Sequence, residues 1–249
     1  MTKLALVIFL ISLTTAAFAQ ASQYSSETGV QQNIMVELYT SQGCSSCPPA
    51  DDWLSEFKQD QRLWKTIFPV AFHVDYWNYI GWRDPFSSDT YSNRQRRYSM
   101  MGMVSSVYTP GFIVNGQEWR SWFRKRDINA ILDKLNNKSG KLTLSLDDNK
   151  LMANFTPDTK HAGELVLNAA WLSMNIKTDV LAGENGGKTL HHDFVCRDWQ
   201  RFSSNKRDGN FNWQQIVSED TLKQADALVV WVSERDNPKP IQTTGFRLR

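Results

Sequence analysis

Residues 34–52 have the sequence IMVELYTSQGCSSCPPADD. The apolar run at 34–39 has the length of a buried β-strand. From residue 49 to 57 the apolar side chains recur at helical spacing, and two acidic residues stand near the start, where the helix dipole favours negative charge. The sequence therefore predicts a buried strand, a turn and a helix, with Cys44 and Cys47 at the turn.

Cys44 and Cys47 have the spacing of a small disulfide loop at a helix start. A helix start offers unpaired N–H groups and partial positive charge, which stabilise a thiolate. In such places a cysteine pKa falls from about 8.5 to about 3.5–7.5. We expect Cys44 to be the more exposed sulfur and the nucleophile, and Cys47 to resolve a mixed disulfide.

Two other interpretations of this pair are a structural disulfide and half of a metal site. A zinc site usually has four ligands, and Cys196 and the four histidines lie far away without a second closely spaced ligand pair. We therefore predict no metal site and no cofactor, and Cu(I) capture by the two thiolates is a further alternative. Cys196 itself is predicted to be a buried thiol that packs as a small apolar side chain.

The motif His191-His192-Asp193 lies close to Cys196 and suggests a metal site. Neighbouring residues of a strand point to opposite faces, so His191 and His192 do not face one ion, although Asp193 could share a face with His191. We interpret the motif as a surface or core pairing.

Further predicted elements follow in the first half of the chain. Residues 67–74 form a second apolar run, and 87–101 lack Gly and Pro and suit a helix. A third strand ends at Asn115-Gly116, the strongest short hairpin signal, and a fourth is expected near 118–122. A last helix begins at Asp127, with apolar residues at helical spacing, namely Ile128, Ile131, Leu132 and Leu135.

After Lys141 apolar and polar residues alternate in short runs separated by turn residues, which is typical of strands. The predicted fold class is α/β, with a β-α-β-α-β-β-α domain at 33–138 and a β-rich domain, a sandwich, at 140–249. The boundary is placed at residues 137–140.

The strand, the CxxC pair at a helix start and this element order resemble the thioredoxin superfamily. Closer still is the likeness of three segments to a family of exported bacterial proteins, the domain of unknown function 1223 family. These segments are VELYTSQGCSSCPPAD at 36–51, FHVDYW at 72–77 with GWRDPF at 81–86, and VYTP at 107–110 with VNG at 114–116. The likeness extends over nearly all of the chain after the leader and is tightest at 34–116.

The resemblance implies a thioredoxin-like fold, while the activity of the family is not established. It also implies that Thr109–Pro110 is a cis peptide beside the two sulfurs, where its backbone groups bind an incoming chain. Without the resemblance, an ordinary trans proline entering a strand is expected. The sequence departs from thioredoxins at the pair Ser45-Ser46 and at Gly43, where thioredoxins have Trp.

Glu37 lies in an otherwise apolar strand that is expected to be central and covered on both faces. A buried carboxyl group prefers its proton, so Glu37 could exchange a proton with Cys47 during disulfide chemistry. The alternatives are a salt bridge with a nearby Arg or Lys and an edge position in water. Three arginines, Arg94, Arg96 and Arg97, are interpreted as a solvated helix face.

Asp75, Tyr76 and Trp77 follow the second strand at its carboxyl end, the edge at which such sheets bind ligands. We predict that they line the pocket around the sulfurs, together with Trp82. The alternative is that they belong to the core, because the chain holds 10 Trp residues.

Residues 1–19 have the features of a secretory signal peptide: a Lys, an apolar run and the A-x-A site Ala17-Phe18-Ala19. The run is shorter than the roughly 20 residues of a membrane span, and no membrane span is expected after cleavage. We expect the protein in the periplasm or outside the cell, where disulfides persist. The net charge of +2 provides no basic surplus for nucleic acid.

These patterns support two hypotheses. The first is an exported thiol-disulfide oxidoreductase that acts on protein or small-molecule thiols and is recycled by a redox partner in the periplasm or its membrane. The second is a binding module on a thioredoxin-like scaffold that a permanent disulfide holds together.

Overall fold

The computed structural model describes residues 23–132, 137–161, 163–207 and 209–249. The predicted signal peptide and Leu135 of the last predicted helix lie outside these ranges. Within them the regular structure is mostly β-sheet. The strands are β1 (Tyr24–Glu27), β2 (Ile34–Thr40), β3 (Ile67–His73), β4 (Gly111–Val114), β5 (Gln117–Glu118), β6 (Gly140–Asp147), β7 (Lys150–Pro157), β8 (Leu165–Ser173), β9 (Ile176–Asp179), β10 (Thr189–His192), β11 (Val195–Ser203), β12 (Asn205–Arg207), β13 (Asn210–Ile216), β14 (Ala227–Glu234) and β15 (Gln242–Arg247). The α-helices are α1 (Pro48–Ser55), α2 (Asp89–Met100), α3 (Asn129–Leu132) and α4 (Glu219–Gln224).

Local sequence explains the elements of the first half. Strands β2 and β3 are buried along their whole length, as their apolar runs predict. Helix α2 begins after Ser88, whose side chain accepts a hydrogen bond from the Thr90 N–H at 3.2 Å and so caps the helix. Asn115 and Gly116 have φ values of 46° and 79°, which is the positive-φ turn expected between β4 and β5.

An eight-stranded mixed sheet runs through the molecule in the order β15-β14-β8-β11-β3-β2-β4-β5. Strands β2 and β3 are parallel, with Ile34 opposite Ile67. Strand β11 joins β3 in parallel at Val195 and Ala71 and pairs with β8 on its other side. Strands from both halves of the chain therefore form one continuous sheet.

The predicted α/β fold class, a thioredoxin-like domain followed by a β-rich domain, is wrong. The structure is mostly β, with fifteen strands and four short α-helices in the described residues. The β2–β5 strands form half of the larger sheet because the outer edge of β3 is paired with β11. The predicted boundary at 137–140 stays a prediction.

The second sheet has five antiparallel strands in the order β1-β6-β7-β13-β12. Its inward residues pack on one face of β8 and β14 and form a core with them. Alternation in β6, where Leu142, Leu144 and Leu146 are buried, places this face inward. The other face of β8 and β14 contributes to the core beneath α1 and α2, through residues such as Leu172 and Trp231.

One local expectation differs from the structure. The fourth strand is only Gln117–Glu118, and residues Arg120–Phe123 form a 3-10 helix that buries Trp122 against Trp53 and Phe112. Among the described helices, none combines the length and apolar character that a membrane crossing needs.

Candidate functional site around the cysteine pair

A disulfide joins Cys44 and Cys47 in the turn between β2 and α1, with their Cα atoms 5.4 Å apart. Cys47 is the N-cap of α1, and its N–H donates to the Cys44 carbonyl at 3.2 Å. The Cys44 N–H in turn donates to the Ser41 carbonyl at 3.1 Å. The predicted bond is therefore present, and a hydrogen-bonded turn holds it at the helix start.

The start of α1 offers fewer donors than expected. Pro48 and Pro49 have no N–H, and the N–H groups of Ala50 and Asp51 donate to the Cys47 carbonyl at 2.8 and 3.1 Å. The start of α1 thus provides the partial positive charge of the helix, but the N–H groups of Ala50 and Asp51 are already used.

Both sulfur-bearing residues are buried. Cys44 is 1% exposed and Cys47 is 0% exposed, although Ser45 and Ser46 between them are exposed. Cys44 was expected to be the more exposed sulfur, and its exposure exceeds that of Cys47 by only one percentage point. A reagent or another chain reaches the pair only when something that covers it moves.

A segment from the second half of the chain, residues 180–188, is hydrogen-bonded to the backbone of the disulfide turn, and we call it the cover loop. Asn185, itself fully buried, donates from Nδ2 to the carbonyls of Gln42 and Cys44 at 3.0 and 2.9 Å. Glu184 accepts a hydrogen bond from the Ser45 N–H at 3.0 Å, and its hydrogen bonds with Ser45 hold the pKa of the Glu184 carboxyl below its usual value. Three hydrogen bonds thus hold the cover loop on the disulfide turn.

Two glycines allow the close packing of this region. A Cβ on Gly43 would lie 3.1 Å from the Cβ of Trp77, so the turn before Cys44 packs tightly on this tryptophan. Gly183 has a φ of 75°, and a Cβ there would lie 3.2 Å from the Cβ of Trp82. The first contact brings Trp77 to the disulfide turn, and the second fixes the cover loop on the segment that contains Trp82.

The Thr109–Pro110 peptide is cis, as the resemblance implied. Gly111 pairs with Tyr39 near the end of β2, so this peptide lies beside the turn that carries the sulfurs. Trp77 donates from its indole N–H to Thr109 Oγ1 at 2.7 Å. Trp77, Thr109 and Pro110 are therefore brought together near the disulfide, while their binding role stays a prediction.

Asp75 and Tyr76 are held by α2 instead. Asp75 exchanges two hydrogen bonds with Ser92, and the Tyr76 hydroxyl donates to Gln95 Oε1 at 3.0 Å. Burial raises the pKa of Tyr76 above its usual value. These contacts fix the segment that follows β3, and a role in substrate binding stays a prediction.

Glu37 forms a buried salt bridge, the alternative interpretation of its position. Its carboxylate accepts from Arg94 Nε and Nη2 at 2.8 and 2.9 Å, and the hydroxyls of Tyr39 and Tyr98 donate to it at 2.8 and 2.6 Å. Glu37 lies on the face of β2 opposite to Thr40, which contacts α1 through Asp51. Glu37 therefore contacts α2 on the face of β2 that points away from α1, and proton exchange with Cys47 gains no support.

Arg94 does not belong to a solvated face. Its side chain is 2% exposed, and its guanidinium lies 4.8 Å from the Trp231 ring and 5.6 Å from the Phe72 ring. Arg96 is exposed, and Arg97 is partly exposed and donates to the Asp236 carbonyl at 2.9 Å. The expectation for Arg94 is wrong because the ion pair with Glu37 draws it inward.

Sequence reasoning missed a buried group of polar residues next to α1. Asp51, His73 and His192 each present an atom within 4.8 Å of the other two, and all three are buried. They come from α1, the end of β3 and the end of β10. Alternation was the available signal, since it places His192 inside while His191 is exposed.

Asp84 and Asp193 fix the surroundings of this group. Asp84 Oδ2 lies 2.7 Å from His73 Nδ1. Burial acts to lower the pKa of His73, but the nearby Asp84 carboxylate outweighs it, so the pKa of His73 is raised. Burial likewise acts to raise the pKa of Asp84, but the interaction with His73 outweighs it, so the pKa of Asp84 is lowered. Asp193 pairs with Lys58 at 2.6 Å, so it does not join His191.

Cys196 is buried, as predicted. Burial raises the pKa of its thiol to about 12.

Comparison with known proteins places the chain in a family. Residues 35–233 match the model described as "Protein of unknown function (DUF1223)". The chain belongs to this family. A comparison with curated proteins finds no match.

Two solved structures are similar to this member of the family. The protein AGR_C_4864 from Agrobacterium tumefaciens has a TM-score of 0.65 and 22% identity, over 87% of this chain and 94% of that one. HBP35 of Porphyromonas gingivalis has a TM-score of 0.57 and 17% identity, over 89% of this chain and 76% of that one. At these identities the likeness concerns the fold alone.

Proposed function

We propose that this DUF1223 protein is an exported thiol-disulfide oxidoreductase that acts on protein or small-molecule thiols. The observation that carries the proposal is the Cys44–Cys47 disulfide at the start of α1, beside the cis peptide Thr109–Pro110. The predicted signal peptide at 1–19 supports export to the periplasm or out of the cell. A redox partner in the periplasm or its membrane would return the Cys44–Cys47 pair to its starting oxidation state.

The chemistry needs only the two sulfurs. A substrate thiolate attacks Cys44 Sγ and breaks the Cys44–Cys47 bond, which leaves a mixed disulfide and a Cys47 thiolate. A second substrate thiolate then attacks the substrate sulfur and releases Cys44 as a thiolate. The substrate dithiol has lost two electrons and two protons, and the cysteine pair has gained them. The reverse sequence reduces a substrate disulfide.

The cis peptide and Trp77 supply the surface for an extended substrate. Peptide groups of Thr109 are positioned beside the disulfide turn by the pairing of β4 with β2. The indole of Trp77 orients the Thr109 side chain through its hydrogen bond. A substrate strand that pairs with this backbone would bring its own sulfur to Cys44.

Access requires the cover loop to move. The two hydrogen bonds of the buried Asn185 contribute roughly 1 kcal/mol each, so opening costs on the order of 2 kcal/mol and an open state holds about 3% of the molecules. An open fraction of this size permits thiol-disulfide exchange at Cys44 but makes it slow. The burial of the sulfurs is thus compatible with a gated enzyme.

The proposal is tested by trapping a mixed disulfide and by measuring the reduction potential. In a Cys196→Ala background, Cys47→Ser should accumulate a mixed disulfide when its Cys44 thiolate attacks a substrate disulfide and releases one substrate sulfur as a thiolate, while the matched variant Cys44→Ser should not. The Cys44–Cys47 bond should be reduced reversibly in glutathione buffers between about −120 and −320 mV. Equal trapping by both variants, or no trapping, would contradict the proposal.

Burial of both sulfurs favours a second candidate, a binding module in which the disulfide is permanent. It predicts that no glutathione buffer in this range reduces the bond, and that Cys44→Ser lowers stability. For a closed loop this short, loss of a structural disulfide costs on the order of 2 kcal/mol of the free energy of unfolding.

A further inference from the structure

Three buried ligand atoms of types that bind metal converge from separate elements next to α1. Asp51, His73 and His192 are 4%, 0% and 2% exposed, and one ligand atom of each lies within 4.8 Å of the other two. Neither sulfur of the disulfide belongs to the group. Two imidazoles and one carboxylate are the three protein ligands of many zinc and iron(II) sites, in which water or substrate occupies the other coordination positions.

Two atoms of the group lack the hydrogen bond that burial normally demands. His73 Nε2 and His192 Nδ1 are inaccessible and have no hydrogen-bond partner. His192 Nδ1 lies 3.5 Å from Asp51 Oδ1 without forming a hydrogen bond. Asp51 uses its other oxygen, Oδ2, to accept from the Thr40 hydroxyl at 2.9 Å. The unpartnered atoms therefore point to a missing ligand.

We propose that Asp51, His73 and His192 bind one divalent transition-metal ion of the zinc type. Ligands about 2.1 Å from a tetrahedral ion lie about 3.4 Å from one another. His192 Nδ1 and Asp51 Oδ1 are already 3.5 Å apart, and His73 has to approach them by no more than about 1.4 Å. One coordination position stays open. The ion would satisfy all three atoms at once, which explains why the interior tolerates them.

Hydrogen bonds behind His73 are those of a ligating histidine. His73 Nδ1 lies 2.7 Å from Asp84 Oδ2, which places the ring proton on Nδ1 and leaves the Nε2 lone pair for the ion. Asp84 is held in turn by the N–H groups of Gln42 and Phe86 at 2.8 and 2.9 Å. The ring is therefore fixed in orientation before any metal arrives.

His192 requires a change in its neighbour. Gln42 Nε2 lies 3.2 Å from His192 Nε2, and Gln42 Oε1 accepts from the Trp82 indole at 3.1 Å. Metal at Nδ1 moves the proton of the neutral ring to Nε2, so the Gln42 amide turns to present its oxygen. Trp82 then loses its acceptor. Metal binding should thus change the fluorescence of Trp82.

The decisive experiment titrates Co²⁺, and then Zn²⁺ in competition, into the chelator-treated protein with its disulfide intact. Oxidised sulfurs do not ligate, so the result is independent of the redox proposal. We expect one Co²⁺ per chain with visible d–d bands, displaced by Zn²⁺, and a fluorescence change that Trp82→Phe removes.

Paired variants locate the ion. Asp51→Asn, which keeps an oxygen for Thr40, and His192→Gln should weaken binding at least 10-fold, and Asp84→Asn should weaken it about 10- to 100-fold through His73. Asp52→Asn and His191→Gln are the matched controls, because each alters the exposed neighbour of a ligand. Near-ultraviolet circular dichroism shows whether each variant is folded. If His192→Gln does not fold, the metal affinity of Asp51→Asn is the deciding measurement.

The proposal is overturned if the oxidised protein binds no Co²⁺ or Zn²⁺ at stoichiometric concentration. It is equally overturned if Asp51→Asn binds as the wild type does, or if the controls lose binding to the same extent.

Discussion

Arg94, Arg96 and Arg97 lie in the same polar helix, which has no apolar periodicity. Of the three, Arg94 alone is buried. The sequence favours solvent for all three because a buried charge is costly without a partner. The partner, Glu37, is 57 residues away and carries no local signal. The cysteine pair was predictable from its local spacing, whereas the cis peptide followed only from the family resemblance. The group Asp51, His73 and His192 was not predictable, because only the fold brings it together.

Glu37→Gln tests the buried ion pair. The change leaves the Arg94 guanidinium uncompensated among aromatic rings, and we expect a loss of about 3–5 kcal/mol in the free energy of unfolding by urea denaturation. Adding Arg94→Met should recover part of it. Glu56→Gln, at an exposed glutamate, is the control. An equal loss of stability in Glu37→Gln and Glu56→Gln would contradict the role of the Glu37–Arg94 ion pair.

Cys196 provides a test based on its pKa. A thiol with a pKa of about 12 is almost wholly protonated at pH 8, so iodoacetamide should label it on the order of 1000-fold more slowly than a free cysteine. The raised pKa also means that its contribution to stability is complete below the unfolded value of 9.0 and is lost as pH rises through about 12. Mass spectrometry of the native protein, against the protein in denaturant, measures the labelling. Rapid native labelling would contradict the burial.

At the scale of the element, strands and turns followed their patterns more closely than the segments between them. Alternation, apolar runs and Asn115-Gly116 marked the strands and the hairpin, because each needs only local chemistry. The fourth strand was shortened by the burial of Trp122, which is a tertiary effect. The cover loop had no local signal at all, since its function depends on a turn that lies far away in sequence.

Asn185→Ala tests the cover loop. It removes two of the three hydrogen bonds on the disulfide turn, roughly 2 kcal/mol, and should raise the rate of Cys44–Cys47 reduction by dithiothreitol on the order of 30-fold. Leu181→Ala is the matched control, because this side chain of the same loop is 81% exposed. Equal rates in the two variants would show that the loop does not limit access.

For the whole molecule, the sequence predicted two separate folds and the structure shows a shared sheet. The two halves of the chain meet where Val195 of β11 pairs in parallel with Ala71 of β3, although these residues are more than a hundred positions apart in sequence. Such a pairing has no periodicity or turn residue to reveal it. The apolar run of β3 is consistent with an unpaired outer strand edge and also with an edge that pairs with another strand. The sequence pattern therefore does not show whether a further strand joins β3.

Truncation tests the dependence of the first half on the second. Residues 20–139 alone lack β11, and their core loses the contacts of Cys196, Leu172 and Trp231. We expect this fragment to show no cooperative thermal transition, while residues 20–249 unfold in one step by circular dichroism and fluorescence. A cooperative fragment would instead support the predicted boundary at 137–140.

The origin of the cover loop in the second half has a consequence for biogenesis. A ribosome that adds about 5–20 residues each second needs on the order of ten seconds to pass from Cys47 to Asn185. Throughout that interval the nascent chain presents its dithiol uncovered to any oxidant it meets. Because the loop follows the pair by more than a hundred residues, the order of synthesis allows the bond to form before the loop can pack over the turn.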